Sequence, residues 1–246
     1  MDISWLGGSC FRLHANGLQV LTDPFDLPTP IVPLADEIVT LSQRAAGGRL
    51  ALGQVYRLID GPGEYEIKGM PITGVATSGG GGSAPVAADR APTDRALTGG
   101  APTGGPPSRD RNVAYTVVMD GVAVCHLGRI DRPLSAPQLQ EIGSPDVLLL
   151  PLHEGSGLTL AQAVQLTSQL EARLLAPVPL VSGADDAVVE RFCRELGADP
   201  ANFSPRLTVS TSGLPAQVQV VRLSVADSPA GPTRPPAVPE RSSDSS

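Results

Sequence analysis

The chain has 246 residues, a formal net charge of −7 and only 17% charged residues. An acidic chain of this kind lacks the basic surface with which proteins bind nucleic acid or an anionic membrane, so we expect neither partner. It contains no run of about 18 apolar residues, and it begins without a basic and apolar leader. The composition therefore predicts a cytoplasmic protein with no membrane span and no signal peptide.

The first 77 residues are typical of short β-strands separated by glycine and proline. Asn16-Gly17 predicts a tight hairpin, because both residues tolerate the positive φ that such turns require. The expected strands are Asp2–Leu6, Ser9–His14, Leu18–Thr22, Glu37–Leu41, Val55–Ile59, Glu64–Ile67 and Met70–Ala76.

Residues 78–111 have a different composition, dominated by glycine, proline and alanine. Such a segment buries too little apolar surface to offset the entropy lost on ordering, so we expect a disordered insert between two strands. Residues 227–246 are rich in proline and serine and predict a disordered tail. The remainder predicts a single domain spanning 1–225, interrupted by the insert.

Residues 112–223 predict alternating strands and helices, beginning with a second hairpin around Asp120-Gly121. Ser135 and Thr159 are each followed three residues later by glutamine, which is the pattern of a capping box at a helix start. The expected strands are Val113–Met119, Val122–Leu127, Asp146–Pro151, Arg173–Pro177, Leu207–Thr211 and Val218–Leu223. The expected helices run from Ser135 to Gly143, from Thr159 to about Ala172 and from Asp185 to Leu196.

The histidines and cysteines exclude a locally built metal site. The three histidines are His14, His126 and His153, too far apart for a histidine cluster along one segment. The three cysteines, odd in number and widely spaced, form neither a disulfide framework nor a zinc knuckle and indicate buried thiols in a reducing compartment.

Several segments together resemble the metallo-β-lactamase fold hydrolases, specifically their small, lactonase-like bacterial branch. The resemblance implies an α/β (α+β) fold, an αββα sandwich of two mixed β-sheets flanked by helices. It also implies one or two zinc ions that activate water for hydrolysis. The segments that carry it are ISWLGGSCFRL (3–13), VLTDPF (20–25), EIVTLS (37–42), GPGEYEIKGMPITG (61–74), NVAYTVVMDGVAVCHLG (112–128), 134–151 and 172–177.

The positions at which the family holds its metals carry other residues here. The family's His-x-His-x-Asp-His motif is replaced by the six residues 43–48, which include Gln43, Ala45, Gly47 and Gly48. The family's metal-bridging aspartate is Arg129, and its histidine after the strand ending near residue 177 is Pro179. Because zinc needs three or four N, O or S donors, we expect no zinc and no other cofactor in this chain.

Arg129 is the substitution with the clearest physical consequence. A guanidinium keeps its proton near neutral pH, so it cannot ligate a cation and would repel one. We hypothesise that Arg129 pairs with Asp23, or with Asp131, and fills the space that the metal left. The alternative is that Arg129 points into solvent from a loop.

Four other polar residues are candidates for a residual site. Asp23 follows a strand, and Glu64 lies in a glycine-rich turn that is more typical of a structural role. His126 lies in an apolar strand and is more typical of a hydrogen-bonded core histidine than of a catalyst. His153, followed by Glu154, comes after a buried strand, where sites in α/β proteins collect.

Three functional classes stay open on these observations. The first, which we favour, is a pseudoenzyme that keeps the fold for a binding or structural role, with an unknown protein or small molecule as partner. The second is an active hydrolase with an atypical or metal-free site, acting on an ester, lactone or phosphodiester. The third is a module that binds partners through the insert or the tail.

Overall fold

The computed structural model describes residues 1–25, 27, 30–43, 57–78, 111–152, 157–178, 186–199 and 203–226. In chain order the strands are β1 Asp2–Gly7, β2 Cys10–Ala15, β3 Leu18–Thr22, β4 Ile38–Thr40, β5 Arg57–Ile59, β6 Gly63–Ile67, β7 Met70–Ser78, β8 Arg111–Met119, β9 Val122–His126, β10 Val147–Pro151, β11 Leu174–Val178, β12 Phe203–Ser204, β13 Leu207–Thr208, β14 Gln219–Val220 and β15 Arg222–Leu223. The helices are α1 Ala136–Ile142, α2 Leu160–Leu170 and α3 Asp186–Leu196.

These strands form two mixed sheets and one small pair. The first sheet has the order β13-β1-β2-β3-β4-β5, with parallel pairing where β3, β4 and β5 meet. The second sheet has the order β14-β11-β10-β9-β8-β7-β6, antiparallel from β6 to β9 and parallel from β9 to β14. Strands β12 and β15 pair separately.

Three tight turns set the register of the antiparallel strands. Both central residues of each turn have positive φ: Asn16 and Gly17 at 48° and 76°, Lys68 and Gly69 at 52° and 74°, Asp120 and Gly121 at 51° and 74°. This is the conformation whose twist matches that of the flanking strands. The hairpins predicted at Asn16-Gly17 and at Asp120-Gly121 are therefore confirmed.

The apolar core forms one layer on each face of the second sheet, because the central strands of that sheet are buried on both faces. In β10 all five residues are buried. Val147 and Leu149 pack between the two sheets, whereas Leu148 and Leu150 pack under the helices. This alternation explains why the sequence of β10 is apolar throughout.

Helices α1, α2 and α3 cover the outer face of the second sheet. The predicted capping boxes are present: the side chain of Gln138 accepts a hydrogen bond from the amide of Ser135 (2.8 Å), and Gln162 accepts one from Thr159 (2.9 Å). With the two face-to-face sheets, this arrangement confirms the predicted sandwich class. Within the described ranges, no helix is long and apolar enough to cross a membrane.

Some predicted boundaries were wrong. Ser78 and Arg111 were assigned to the insert, but they pair with each other, because the antiparallel ladder between β7 and β8 extends to them. The strand predicted at 207–211 ends at Thr208, and a short 3₁₀ turn follows at Thr211–Gly213. The predictions of a disordered insert over 79–110 and a disordered tail lie outside the described residues.

Candidate functional site

The centre of the candidate site is a pair formed by Asp23 and Ser42. Asp23 directly follows β3, is fully buried and has a φ of +39°. One of its carboxylate oxygens accepts a hydrogen bond from the Ser42 amide (2.6 Å), and the other accepts one from the Ser42 hydroxyl. We call this pair the Asp23–Ser42 clamp. Burial raises the pKa of Asp23 to about 7, and the hydrogen bonds from Ser42 and the positive charge of Arg129 oppose that rise.

The clamp also connects the two sheets. Ser42 follows β4 in the first sheet, and its carbonyl accepts a hydrogen bond from the Val113 amide of β8 in the second sheet (2.8 Å). Asp23 in turn donates its own amide to the Thr40 carbonyl (2.9 Å). A continuous path of hydrogen bonds therefore runs from the end of β3 through Ser42 to β8.

Asn112 holds the loop on which Arg129 lies. Its side-chain amide donates to the Thr77 hydroxyl (2.7 Å) and to the Leu127 carbonyl (2.8 Å), and its side-chain oxygen accepts from the Arg129 amide (2.9 Å). Asn112 is fully buried, so these bonds replace the water that its amide group loses. The backbone of Arg129 is thus fixed from the start of β8.

Arg129 is half-buried, and its positive charge acts on the carboxylate of the clamp. Its guanidinium carbon lies 5.8 Å from the centre of the Phe25 ring, a cation–π contact. Burial raises the pKa of Asp23, and the positive charge of Arg129 opposes that rise. Asp131, the other partner considered for Arg129, accepts a hydrogen bond from Arg132 (3.1 Å). The interaction seen between Arg129 and Asp23 is one of charge, and their direct pairing stays a prediction.

His126 links the sheets from within the core. It is 3% exposed, bonds to the backbone of Ser9, and meets the Phe11 ring edge-on with ring centres 6.0 Å apart. Burial lowers its pKa to about 4, so the ring is neutral at pH 7. Its Nδ1 is buried and has no hydrogen-bond partner among the described residues. These surroundings favour the core role over acid–base catalysis.

The other predicted positions fall into two groups. Gln43 directly follows the clamp and is half-buried, whereas Glu64 is exposed on the edge strand β6, opposite Thr73. Ala45, Gly47, Gly48, His153 and Pro179 lie outside the described residues.

Comparison with known proteins identifies the family. Residues 2–179 match the model of the beta-lactamase superfamily domain. The chain belongs to the metallo-β-lactamase superfamily. A protein named UPF0173 metal-dependent hydrolase, from Archaeoglobus fulgidus, is 25% identical over 248 residues, which cover 90% of this chain and 96% of that protein.

Two solved structures are similar to the chain in fold. The first is a proposed zinc-dependent hydrolase of the metallo-β-lactamase superfamily from Thermotoga maritima. It is 25% identical with a TM-score of 0.64, covering 90% of this chain and 97% of that one. The second is Igni18, a metallo hydrolase from Ignicoccus hospitalis. It is 17% identical with a TM-score of 0.51, covering 92% and 96% of the two chains, and it shares the fold.

Relatives of the chain are described as metal-dependent or zinc-dependent hydrolases, but the described residues of this site do not suit a metal ion. Both oxygens of Asp23 are engaged by Ser42, and Arg129 places a permanent positive charge nearby. Among the residues that the structure describes, no group of three or more His, Cys, Asp or Glu is placed to hold a metal ion. The described donors therefore do not fit a zinc ion.

Sequence reasoning did not single out Ser42 or Asn112 as site residues. Ser42 follows the apolar strand β4 and Asn112 lies at the start of the apolar strand β8, and both are almost completely removed from solvent. That position was the available signal, because a buried polar side chain needs specific partners. The partners themselves come from distant segments and become visible only in the folded chain.

Proposed function

We propose that this chain is a metallo-β-lactamase fold protein that has lost its zinc site and is a non-catalytic pseudoenzyme with a binding or structural role. The observation that carries the proposal is Arg129, which stands where the family it resembles has a metal-bridging aspartate. Its backbone is held by Asn112 and its charge acts on Asp23. A protein or small molecule is the expected partner.

The chemistry of the guanidinium supports this proposal. Arg129 has no lone pair to offer a cation, and it repels a dication that approaches the same carboxylate. It supplies a positive charge in the place of a metal, which favours the ionised form of Asp23. The sequence replaces the other family ligands as well, with Gln43 and Gly48 at the ends of the former histidine motif.

The order around the clamp favours a retained role over decay. Asn112 makes all of its bonds inside the protein, and Val113 reaches across to Ser42. The side chains of Asp23, Ser42 and Asn112 all have hydrogen-bond partners, and buried polar groups paired in this way support the fold. The local and long-range interactions agree with one another, as expected of a chain that still specifies one structure.

An active hydrolase is the second candidate, and the names of its relatives favour it. The relatives from Archaeoglobus fulgidus and Thermotoga maritima are both described as metal-dependent or zinc-dependent hydrolases. Such an enzyme would act on an ester, lactone or phosphodiester through an atypical or metal-free site. It would need a residual set of polar residues to converge on one site, namely Asp23, Glu64, His126 and His153.

Zinc content separates the two candidates. The protein is purified without a histidine tag, incubated with zinc, desalted and measured by elemental mass spectrometry. We expect less than about 0.1 zinc per chain, since too few ligands are present. About one zinc per chain overturns the proposal. Turnover of an ester, lactone or phosphodiester by the zinc-free protein also overturns it, in favour of a metal-free hydrolase.

A restored variant provides the matched control. It combines the substitutions Gln43→His, Ala45→His, Gly47→Asp, Gly48→His, Arg129→Asp and Pro179→His. We expect this variant to retain zinc under the same conditions, because it carries the ligand types that a tetrahedral site uses. Zinc uptake by the variant and not by the natural chain attributes the loss to these positions.

A further inference from the structure

The two fully buried carboxylates in the described part of the chain have different partners. Glu37 accepts a hydrogen bond from the Arg12 guanidinium at 2.5 Å and another from the Leu34 amide at 2.7 Å. Asp23 instead takes both of its hydrogen bonds from the neutral donors of Ser42. A buried carboxylate held by neutral donors is stabilised less in its charged form than one held by a guanidinium.

The groups that face Asp23 keep one charge state near neutral pH. Cys10 faces it from β2 and Tyr115 from β8, and burial raises the pKa of each, so both stay protonated. Arg129, in the loop after β9, is permanently positive. On β9 itself, His126 is neutral because burial lowers its pKa to about 4. Asp23 is the member of this described set whose charge changes in the neutral range.

We propose that the Asp23–Ser42 clamp is a pH-sensitive link between the two sheets, in which the gain or loss of a proton by the Asp23 carboxyl group changes its hydrogen bonds with Ser42. The inference concerns the clamp alone and does not depend on whether the chain is catalytic. The geometry supplies the coupling. Ser42 receives the Val113 amide from the second sheet, and Gly128 packs against the Ser42 side chain.

Protonation changes the bonding at one atom of the clamp. The ionised carboxylate accepts from the Ser42 amide at one oxygen and from the Ser42 hydroxyl at the other. When solvent supplies a proton, one oxygen becomes a donor, and the hydroxyl that donated to it must turn to accept instead. Arg129 then faces a neutral carboxyl group. The loop 127–129, which contacts Ser42 through Gly128, responds to both changes.

Backbone amide chemical shifts test the proposal directly. We expect the Ser42 amide proton of the natural chain to titrate with a midpoint near pH 7, since it bonds to the Asp23 carboxylate. The Arg129 amide proton, bonded to Asn112, is expected to titrate with the same midpoint. In Arg129→Met the midpoint of Ser42 should rise by about one pH unit, because a stabilising positive charge is gone.

Arg132→Met is the matched control. Arg132 lies three residues further on, is largely exposed and pairs with Asp131, so its removal should leave the Ser42 midpoint unchanged. Asp23→Asn should abolish both titrations, and the measurements on the natural chain and on Arg129→Met stand even if that variant does not fold. Three results would overturn the proposal. They are a Ser42 amide that does not titrate between about pH 5 and 9, an Arg129 amide that does not follow it, and an Arg129→Met midpoint equal to that of the natural chain.

Discussion

Gly128 and Ser42 lie closer together than any residue with a side chain at position 128 would permit. A Cβ built on Gly128 would be 2.4 Å from the Ser42 Cβ and 2.5 Å from the Asn112 side-chain oxygen. The φ of Gly128 is also +64°. The loop after β9 therefore closes on the Asp23–Ser42 clamp through a glycine, which satisfies a steric and a conformational requirement at once.

We expect Gly128→Ala to destabilise the protein by about 3 kcal/mol or more, because a positive φ and a clash with buried atoms act together. Gly197→Ala is the matched control, since its φ of +66° is close to that of Gly128 but nothing lies within 4 Å of the added Cβ. It should cost about 1 kcal/mol. Urea unfolding followed by circular dichroism gives both values. Equal losses in the two variants would contradict the close contact.

Asn112→Ala should lower the free energy of unfolding by about 2–3 kcal/mol. The substitution removes the hydrogen-bond partner of the Leu127 carbonyl and of the Arg129 amide, which lie away from solvent. Thr77→Val removes one hydrogen-bond acceptor of Asn112 and preserves shape, so about 1 kcal/mol is expected. The two variants are compared in the same unfolding assay. If Thr77→Val lowers the free energy of unfolding as much as Asn112→Ala does, Asn112 does not hold the loop.

Local sequence determined much of the fold. Asn16-Gly17 and Asp120-Gly121 predicted their turns because the conformation depends on those residues alone. The apolar run in β10 predicted a strand covered on both faces. The last strands were predicted less accurately: β13 and β14 have two residues each, and so brief a pairing leaves little periodicity in the sequence.

The site was predicted in its residue types and not in its contacts. The replacement of the family's ligands by residues such as Gln43 and Arg129 is visible in the sequence. The clamp is not, because Ser42 and Asp23 are 19 positions apart and meet only when β3 and β4 pair. Asn112 and Thr77 are 35 positions apart and meet only because β7 and β8 pair. Such contacts follow from topology, which short-range patterns do not specify.

The ion pair between Arg12 and Glu37 predicts a large effect of a single charge removal. The Glu37 side chain is fully buried and that of Arg12 is 13% exposed. Arg12→Met leaves the Glu37 carboxylate buried without its cation and should cost about 3 kcal/mol. Arg206→Met is the control, because its pair with Asp2 is solvent-exposed at 3.6 Å and should contribute less than about 1 kcal/mol. Equal losses by urea unfolding would contradict this distinction.

Asp23 should also make the stability of the protein depend on pH. Burial raises its pKa from 3.8 to about 7, so between these values the unfolded chain has lost a proton that the folded chain keeps. The contribution of Asp23 to stability therefore falls as pH rises from about 4 to about 7, and it is constant above that range.

Asp23→Asn removes this dependence because asparagine does not titrate. The free energy of unfolding of the natural chain, minus that of Asp23→Asn, should decrease between about pH 4.5 and 7 and then stay level to about pH 9. Urea titrations at intervals across that range measure the difference. Asp36→Asn, at an exposed position, should show no such trend. If the difference between the natural chain and Asp23→Asn does not vary with pH, Asp23 keeps the same charge throughout this range and its burial does not govern its ionisation.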